Sequence, residues 1–375
     1  MRFLHTADWQ IGMKASHVSE GGIRIRDKRI ATVRNLVEVA KENNVEFMLV
    51  AGDIFEDNGV NRVLVQKVAD ILADSNVPVY VIPGNHDPLV PGSVWDHPVW
   101  KSTENVFVLR QENPVEVPGG VLYPCPVYEK HSGKDPTKWI LTSELEGIRI
   151  GMAHGTVDGI PSGDPDFPIP RDAATRSGLD YLALGHWHST ATYAATDKTI
   201  RMAYSGTHET TRFGERDSGN VLIVEIPNAG VEPQITTVRT GGLEWQVLNR
   251  ELRQPGDLSQ LREEIESMKN PSSTLLELGI SGILSANEYP EINRIQEIVS
   301  SRFLYSHIDE TRVRPSPEDE NWIAVLPIGI IRETGIRLQQ LTDPNFAGER
   351  PEGASPDVAS RALVELYAII TEATQ

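Results

Sequence analysis

Residues 78–87 read PVYVIPGNHD, and the fold turns on this stretch. A short apolar run, PVYVI, halts at Pro83 and Gly84, the pattern of a buried strand that stops abruptly. Directly past the stop come an amide, an imidazole and a carboxylate: Asn85, His86 and Asp87. Gly84 and Asn85 permit a tight turn that exposes those side chains. The same grammar occurs upstream, where RFLHTA (2–7) runs into Asp8 and EFMLVAG (46–52) runs into Asp53. Between these runs, Ile30, Val33, Val37 and Ala40 recur at helical spacing within 24–43, and Val65, Val68 and Ile71/Leu72 within 61–74. Strand, helix, strand, helix, strand predicts parallel pairing with helices on the sheet faces. Such sheets gather ligands beyond the carboxyl ends of their strands.

From about residue 106 the runs shorten: NVFVL, PVEV, GVLYPCP, GIRIGMAHG, LDYLALGHWH, ATYAAT, TIRMAYSG, GNVLIVEI and QITTVRT. Gly, Pro and Asn punctuate them, which predicts a second, largely antiparallel sheet. Packed face to face with the first and flanked by helices, it makes a two-sheet α/β sandwich. Two of these runs end in imidazole. His154 follows GIRIGMA, and His186 and His188 stand in GHWH, where residues two apart project to one side of an extended chain.

Residues 1–240 are therefore expected to be one domain. GLEWQ (242–246) opens a smaller α/β module within 241–342, with a helix at 257–269, strand LLELGISG, helix EINRIQEIVSSRF and strand FLYSHID. SPEDE (316–320) reads as a polar loop, and residues 343–356 (DPNFAGERPEGASP) as a linker. A last helix, 357–375, carries an apolar stripe of Val358, Ala362, Leu363, Leu366, Ile369 and Ile370.

The composition, 39% hydrophobic and 23% charged over 375 residues, excludes collagen-like, coiled-coil and disordered chains. No apolar run reaches the roughly 18 residues that a membrane span needs. The single Cys125 excludes an intramolecular disulfide and a cysteine zinc cluster. The opening MRFLHTADWQ lacks a signal-peptide pattern, so a cytoplasmic location is expected. A net charge of −18 argues against wholesale nucleic-acid binding through the surface. It leaves room for a nucleic-acid enzyme whose site is made cationic by metal ions.

Carboxylate, amide and imidazole donors at successive strand ends suit hard or borderline divalent cations. The series Asp8, Asp53 in GD, Asn85–His86–Asp87 in GNHD, His154 and His186/His188 in GHWH resembles the calcineurin-like metallophosphoesterase superfamily. FLHTADWQIG, AGDIFEDN, GNHDP, MAHGTVDG and YSGTHE resemble its SbcD-type double-strand-break repair nucleases. The likeness covers residues 1–240 and extends more loosely over 250–315, which resembles that family's capping domain. It implies two divalent cations, manganese foremost. One would be held by Asp8, Asp53 and His188, the other by Asp53, Asn85, His154 and His186, with Asp53 bridging. His86 would act on the phosphate and the leaving oxygen, and Asp87 would orient it. The family's opening D-x-H is here Asp8-Trp9-Gln10, so the cation beside Asp8 is expected to be the more weakly held.

DNA contacts are expected from Lys14, Arg29 and Arg212, with Arg24, Arg26, Lys28 and Arg216 nearby, and base stacking from Trp9, Trp95 or Trp187. The resemblance also implies an SbcC-type coiled-coil ATPase, bound by the last helix or the module before it, and a homodimer, with residues 61–110 as its face. The implied activity is a manganese-dependent DNA exo- and endonuclease at DNA ends, in repair. Two other readings stand beside it: a small-molecule phosphodiesterase or phosphatase, and a weakly active scaffold subunit of an ATPase complex, which Gln10 motivates.

Overall fold

The computed structural model describes residues 1–375 apart from 16–17, 19–20, 141–146, 161–165, 196–197, 255, 285–287, 316–321 and 374–375. The SPEDE loop expected at 316–320 lies outside the described residues. The chain divides into two compact units, Met1–Trp245 and Gln246–Gln375.

The first unit holds strands β1 (Arg2–Thr6), β2 (Phe47–Ala51), β3 (Val79–Ile82), β4 (Val106–Val108), β5 (Val115–Val117), β6 (Gly120–Pro124), β7 (Ile148–His154), β8 (Tyr181–Gly185), β9 (Ala191–Ala194), β10 (Ile200–Tyr204), β11 (Asn220–Glu225) and β12 (Gln234–Arg239). Its helices are α1 (Gly22–Glu42), α2 (Arg62–Ala73), α3 (Val99–Ser102) and α4 (Ala173–Arg176). One sheet runs β12-β11-β1-β2-β3-β4 and the other β5-β6-β7-β8-β10-β9. In the first, β1 to β4 are parallel, and β11 and β12 close the far side antiparallel.

Strand β2 shows how alternation sorts the layers. Met48 and Val50 face a cluster with Val33, Leu36, Val37, Val65, Val68 and Leu72 of α1 and α2. Phe47, Leu49 and Ala51 face Leu122, Ile150, Met152, Tyr181 and Ala183 of the other sheet. Burying each large side chain contributes about 1.5–3 kcal/mol, and a one-residue slip would turn the whole set the wrong way. The outer face of the second sheet (Val121, Tyr123, Leu182, Leu184 and Met202) is covered in part by Ala173 and Ala174 of α4.

The second sheet corrects one expectation. Its central pairs β6–β7, β7–β8 and β8–β10 are parallel, and only the edge pairs β5–β6 and β9–β10 are antiparallel. Pro118 and Gly119 do close a hairpin, between β5 and β6, but the stretches that join the parallel neighbours are crossovers of a dozen residues or more, the length that parallel pairing needs.

The second unit carries β13 (Glu244–Leu252), which begins at the end of the first, then β14 (Thr274–Leu284) and β15 (Tyr305–Pro315), in the order β13-β14-β15. Helices α5 (Asp257–Ser267) and α6 (Tyr289–Arg302) pack Leu258, Leu261, Ile265, Ile292, Ile295 and Val299 against this sheet. Helices α7 (Trp322–Val325), α8 (Ile330–Thr342) and α9 (Pro356–Ala373) follow. An irregular stretch, 343–355, precedes the last helix, yet that helix packs within the second unit. Its Leu363 and Tyr367 are buried against Trp322 and Ile323, with Leu338 of α8 alongside. Of the apolar stripe read from the sequence, Leu363, Leu366 and Ile370 thus have partners inside their own unit, while Val358 and Ile369 are exposed. Among the described residues, no helix is long and apolar enough to cross a membrane.

Candidate metal centre

Six of the seven expected ligands leave the ends of β1, β2, β3, β7 and β8; Gln10 lies two residues beyond Asp8. The chain turns hard at several of them. Asp8 (φ 55°), Gln10 (φ 43°), Asp53 (φ 54°) and His186 (φ 105°) sit in the left-handed region, which costs on the order of 1–3 kcal/mol per residue. Neighbouring backbone holds them there. Asp8 N donates to Gly52 O (3.1 Å), Gln10 N to Asp53 O (3.0 Å) and Ile11 N to Ile54 O (2.8 Å), so the β1–β2 pairing continues past the strands. Gly84 is required for close approach, since a Cβ there would stand 2.1 Å from Asp53 Oδ1.

Carboxylate oxygens of Asp8 and Asp53 and a ring nitrogen of His154 all lie within 4.8 Å of one another. His154 donates from Nδ1 to Ala51 O (2.8 Å), which turns Nε2 toward Asn85 Oδ1 (2.9 Å) and Asp53 Oδ2 (3.3 Å). His186 Nδ1 lies 3.1 Å from the same Asn85 oxygen, and His186 N donates to both Asp8 oxygens at 3.0 Å. His188 Nε2 lies 3.1 Å from Gln10 Nε2. Asp8, Asp53, Asn85 and His154 are buried, and Gln10 is 8% exposed. His86 N donates to Asp53 Oδ1 (2.8 Å), and His86 Nδ1 lies 3.0 Å from Glu56 O, leaving Nε2 free of that contact.

The electrostatics point to cations. Burial would lower His154, yet the charge and hydrogen bond of Asp53, with Asp8 behind it, push it up to about 9. Burial would raise Asp53, and His154 overrides it, holding the carboxyl below its usual range. Asp8 is raised by burial and by Asp53, against the pull of His154 and His188. Burial lowers His186 to about 4, with the His154 charge acting in the same sense. Two oxygens thus face one imidazole nitrogen, and two buried carboxylates share a pocket. Protons satisfy such groups only in part, while divalent cations with N and O donors satisfy them all. The donor set fits the metal ions that the sequence implies.

Several other expectations need correction. Arg29 is buried at 1% exposure and cannot touch DNA. Its guanidinium donates to Trp9 O, Glu209 O, Thr210 O and Thr207 Oγ1, tying α1 to the loop after Asp8. Arg29 lies four residues from both Ile25 and Val33, on the buried face of α1, and that spacing was the available signal. Asp87 does not orient His86. Its carboxylate accepts Phe55 N (2.9 Å) and Gly84 N (2.7 Å) and so fixes the turn, while the Glu56 carbonyl holds His86. Trp9 and Trp95 are fully buried and cannot stack on bases. Trp9 donates to Thr6 Oγ1, Trp95 packs on Phe55 and Trp100, and Trp187 is partly buried against the second sheet. Lys14, Arg24, Lys28 and Arg216 are exposed, and so is Arg212, which pairs with Glu215 at 3.5 Å. Sequence reasoning missed Glu215, which meets His188, and Glu209, buried at 0% beneath Arg29. No spacing in the sequence marks either one.

A family model for calcineurin-like phosphoesterases matches residues 1–190. An uncharacterised metallophosphoesterase of Bacillus subtilis, YhaO, is 25% identical over 334 residues, covering 81% of this chain and 80% of that protein. The DNA double-strand break repair protein Mre11 of Saccharolobus solfataricus is 25% identical over 274 residues, covering 66% of this chain and 69% of that protein. Among solved structures, TT1561 of Thermus thermophilus aligns with 64% of this chain and 98% of its own, at 9% identity and a TM-score of 0.42. The chain belongs to the calcineurin-like phosphoesterase family, which implies metal-dependent hydrolysis of phosphoesters.

Proposed function

We propose that this calcineurin-like phosphoesterase is a manganese-dependent DNA nuclease of the SbcD type, cutting phosphodiester bonds at DNA ends during repair. The observation that carries the hydrolase reading is the convergence of Asp8, Asp53 and His154, with Asn85, His186 and His188 beside them. Asp8, Gln10, Asp53 and His188 would hold one cation, and Asp53, Asn85, His154 and His186 the other. When bound, two such cations polarise water and neutralise the charge that builds on the phosphoryl group. The chain's own residues do the rest. Asp53, whose Oδ1 accepts the His86 backbone N–H, would be shared between the two cations. The Glu56 carbonyl keeps His86 Nδ1 protonated, so Nε2 is the ring atom available to exchange a proton with the leaving oxygen. Asp8, Asp53 and His154 are nearly fully buried, so their donor atoms are held in fixed positions.

Support for DNA as substrate comes from the Mre11 relative, from the second unit, and from exposed Lys14, Arg24, Lys28, Arg212 and Arg216. An SbcC-type ATPase partner belongs to the same reading. The second unit leaves Val325, Ile328, Ile330 and Ile331 exposed at its α7–α8 turn, which suits a partner of apolar surface. A homodimer through residues 61–110 would use the exposed Val63 and Phe107.

The test compares manganese-dependent hydrolysis of linear double-stranded DNA, mononucleotides and an aryl phosphodiester. DNA should be cut and Asp53→Asn should abolish the cutting. His86→Gln should keep its metal and lose about 10²–10⁴-fold in kcat, the scale of a general acid. Cleavage of the small substrates alone would overturn the nuclease reading. Metal binding without cleavage of any substrate would favour a scaffold.

A further inference from the structure

His188 meets a carboxylate on the side away from the site. Its Nδ1 lies 2.8 Å from Glu215 Oε1 and 3.3 Å from Thr211 Oγ1. Glu215 is itself pinned. Oε2 accepts Thr211 N at 2.7 Å, Oε1 takes the Thr211 hydroxyl and faces Arg212 Nε at 3.5 Å, and the side chain is only 4% exposed. An ionised carboxylate only accepts hydrogen bonds, so the shared proton sits on His188 Nδ1. A neutral ring then keeps its lone pair on Nε2, the atom 3.1 Å from the Gln10 amide nitrogen. That amide donates, and its placement agrees with a lone pair there.

We propose that Glu215 is a positioning residue: it fixes the Nδ1–H tautomer of His188 and aims Nε2 at the cation position beside Asp8. The assignment rests on the two-cation reading above. Carboxylate, imidazole and cation in series is a known way to set ring orientation and ligand strength. It matters more here because the neighbouring family position holds Gln10, a neutral amide, in place of an imidazole. Weak donation from Gln10 leaves His188 to carry more of the binding on that side. The loop 211–215, between β10 and β11, thereby becomes part of the site although it supplies no ligand.

Two measurements test the proposal. The first is imidazole NMR of the metal-free protein at about pH 8, above the ordinary range for imidazole. His188 should be the Nδ1–H tautomer in the wild type and in Glu215→Gln, whose amide oxygen still accepts, and a mixture in Glu215→Ala. The second is a calorimetric manganese titration. Glu215→Ala should weaken one of two binding events by about 10–100-fold. The other event should shift much less, and Glu215→Gln should restore most of the loss. An Nε2–H tautomer in the wild type overturns the proposal. So does equal weakening of both events, or no weakening of either. If Glu215→Ala does not fold, the tautomer in wild type and Glu215→Gln decides. If the wild type binds no cation, the two-cation reading fails by itself, and the NMR still decides what Glu215 does to the ring.

Discussion

Replacing Arg29 by methionine separates a structural arginine from a DNA-binding one. Methionine keeps most of the volume and removes the donors. Trp9 O, Glu209 O, Thr210 O and Thr207 Oγ1 each lose a hydrogen bond, at about 1 kcal/mol or more apiece. Glu209 stays buried, with Thr32 Oγ1, Gly242 N and Leu243 N around its carboxylate but no cation beside it. Four such bonds sum to about 4 kcal/mol, and the guanidinium charge that interacts with Glu209 through space is lost as well. Burial pulls the guanidinium down to about 10, against the carboxylates of Glu209, Glu215 and Glu56, so it is charged at neutral pH. For a unit of this size the loss should lower Tm by about 6–20 °C. The assay is calorimetry of the metal-free protein, with Arg29→Lys as an intermediate. A Tm within about 2 °C of wild type, together with weaker and less salt-sensitive DNA binding, would refute this placement of Arg29.

Gln10→His should tighten the weaker manganese site by about 10–100-fold in a titration; equal affinities in both proteins would place Gln10 outside the coordination sphere. His5 is buried between Tyr181 OH (2.9 Å) and Leu184 O (3.1 Å), and burial holds it near 3, below its unfolded 6.5. The unfolded chain therefore binds the extra proton first. Stability from this group is complete above pH 6.5 and falls as pH drops toward 3, by up to about 1.4 kcal/mol per pH unit. Denaturant titrations across that window should show a flatter acid limb for His5→Asn; an unchanged slope sinks the assignment. Leu363→Ala should destabilise the second unit by about 2–5 kcal/mol, and truncation before Ser355 should expose Trp322 and Ile323 to proteolysis; a truncated chain as stable as wild type would mean that α9 is not part of that core.

Strands β1 to β3 and the polar strand ends are readable in the sequence because both follow short periods, whereas β4, β11 and β12, expected in the second sheet, lie in the first. PVYVIPGNHD carries its strand, its stop and its side chains in ten consecutive residues. The GHWH pair is equally local. Parallel pairing in the second sheet was not readable, since a Gly-Pro stretch looks the same whether it closes a hairpin or begins a long crossover. The charge of Arg29 suggests a surface contact, whereas its register with Ile25 and Val33 places it on the buried face of α1. Adjacency in sequence suggests that Asp87 contacts His86, whereas its carboxylate turns back to Phe55 N and Gly84 N. Glu215 reaches His188 from 27 residues away, across a loop that no periodicity describes.

The divided origin of the ligands has a consequence for biosynthesis. Asp8, Asp53 and Asn85 come from the first sheet, and His154, His186 and His188 from the second. A growing chain that has emerged through β3 presents two carboxylates and an amide without a single ligating imidazole. It can offer only a weak, oxygen-rich site, poorly matched to zinc or copper. The histidines arrive after residue 150, and β11, the antiparallel partner of β1, later still. On the proposed ligand set, the nitrogen donors that suit zinc and copper would therefore be added late in synthesis. The proposed donor set would be complete only once most of the first unit has been made.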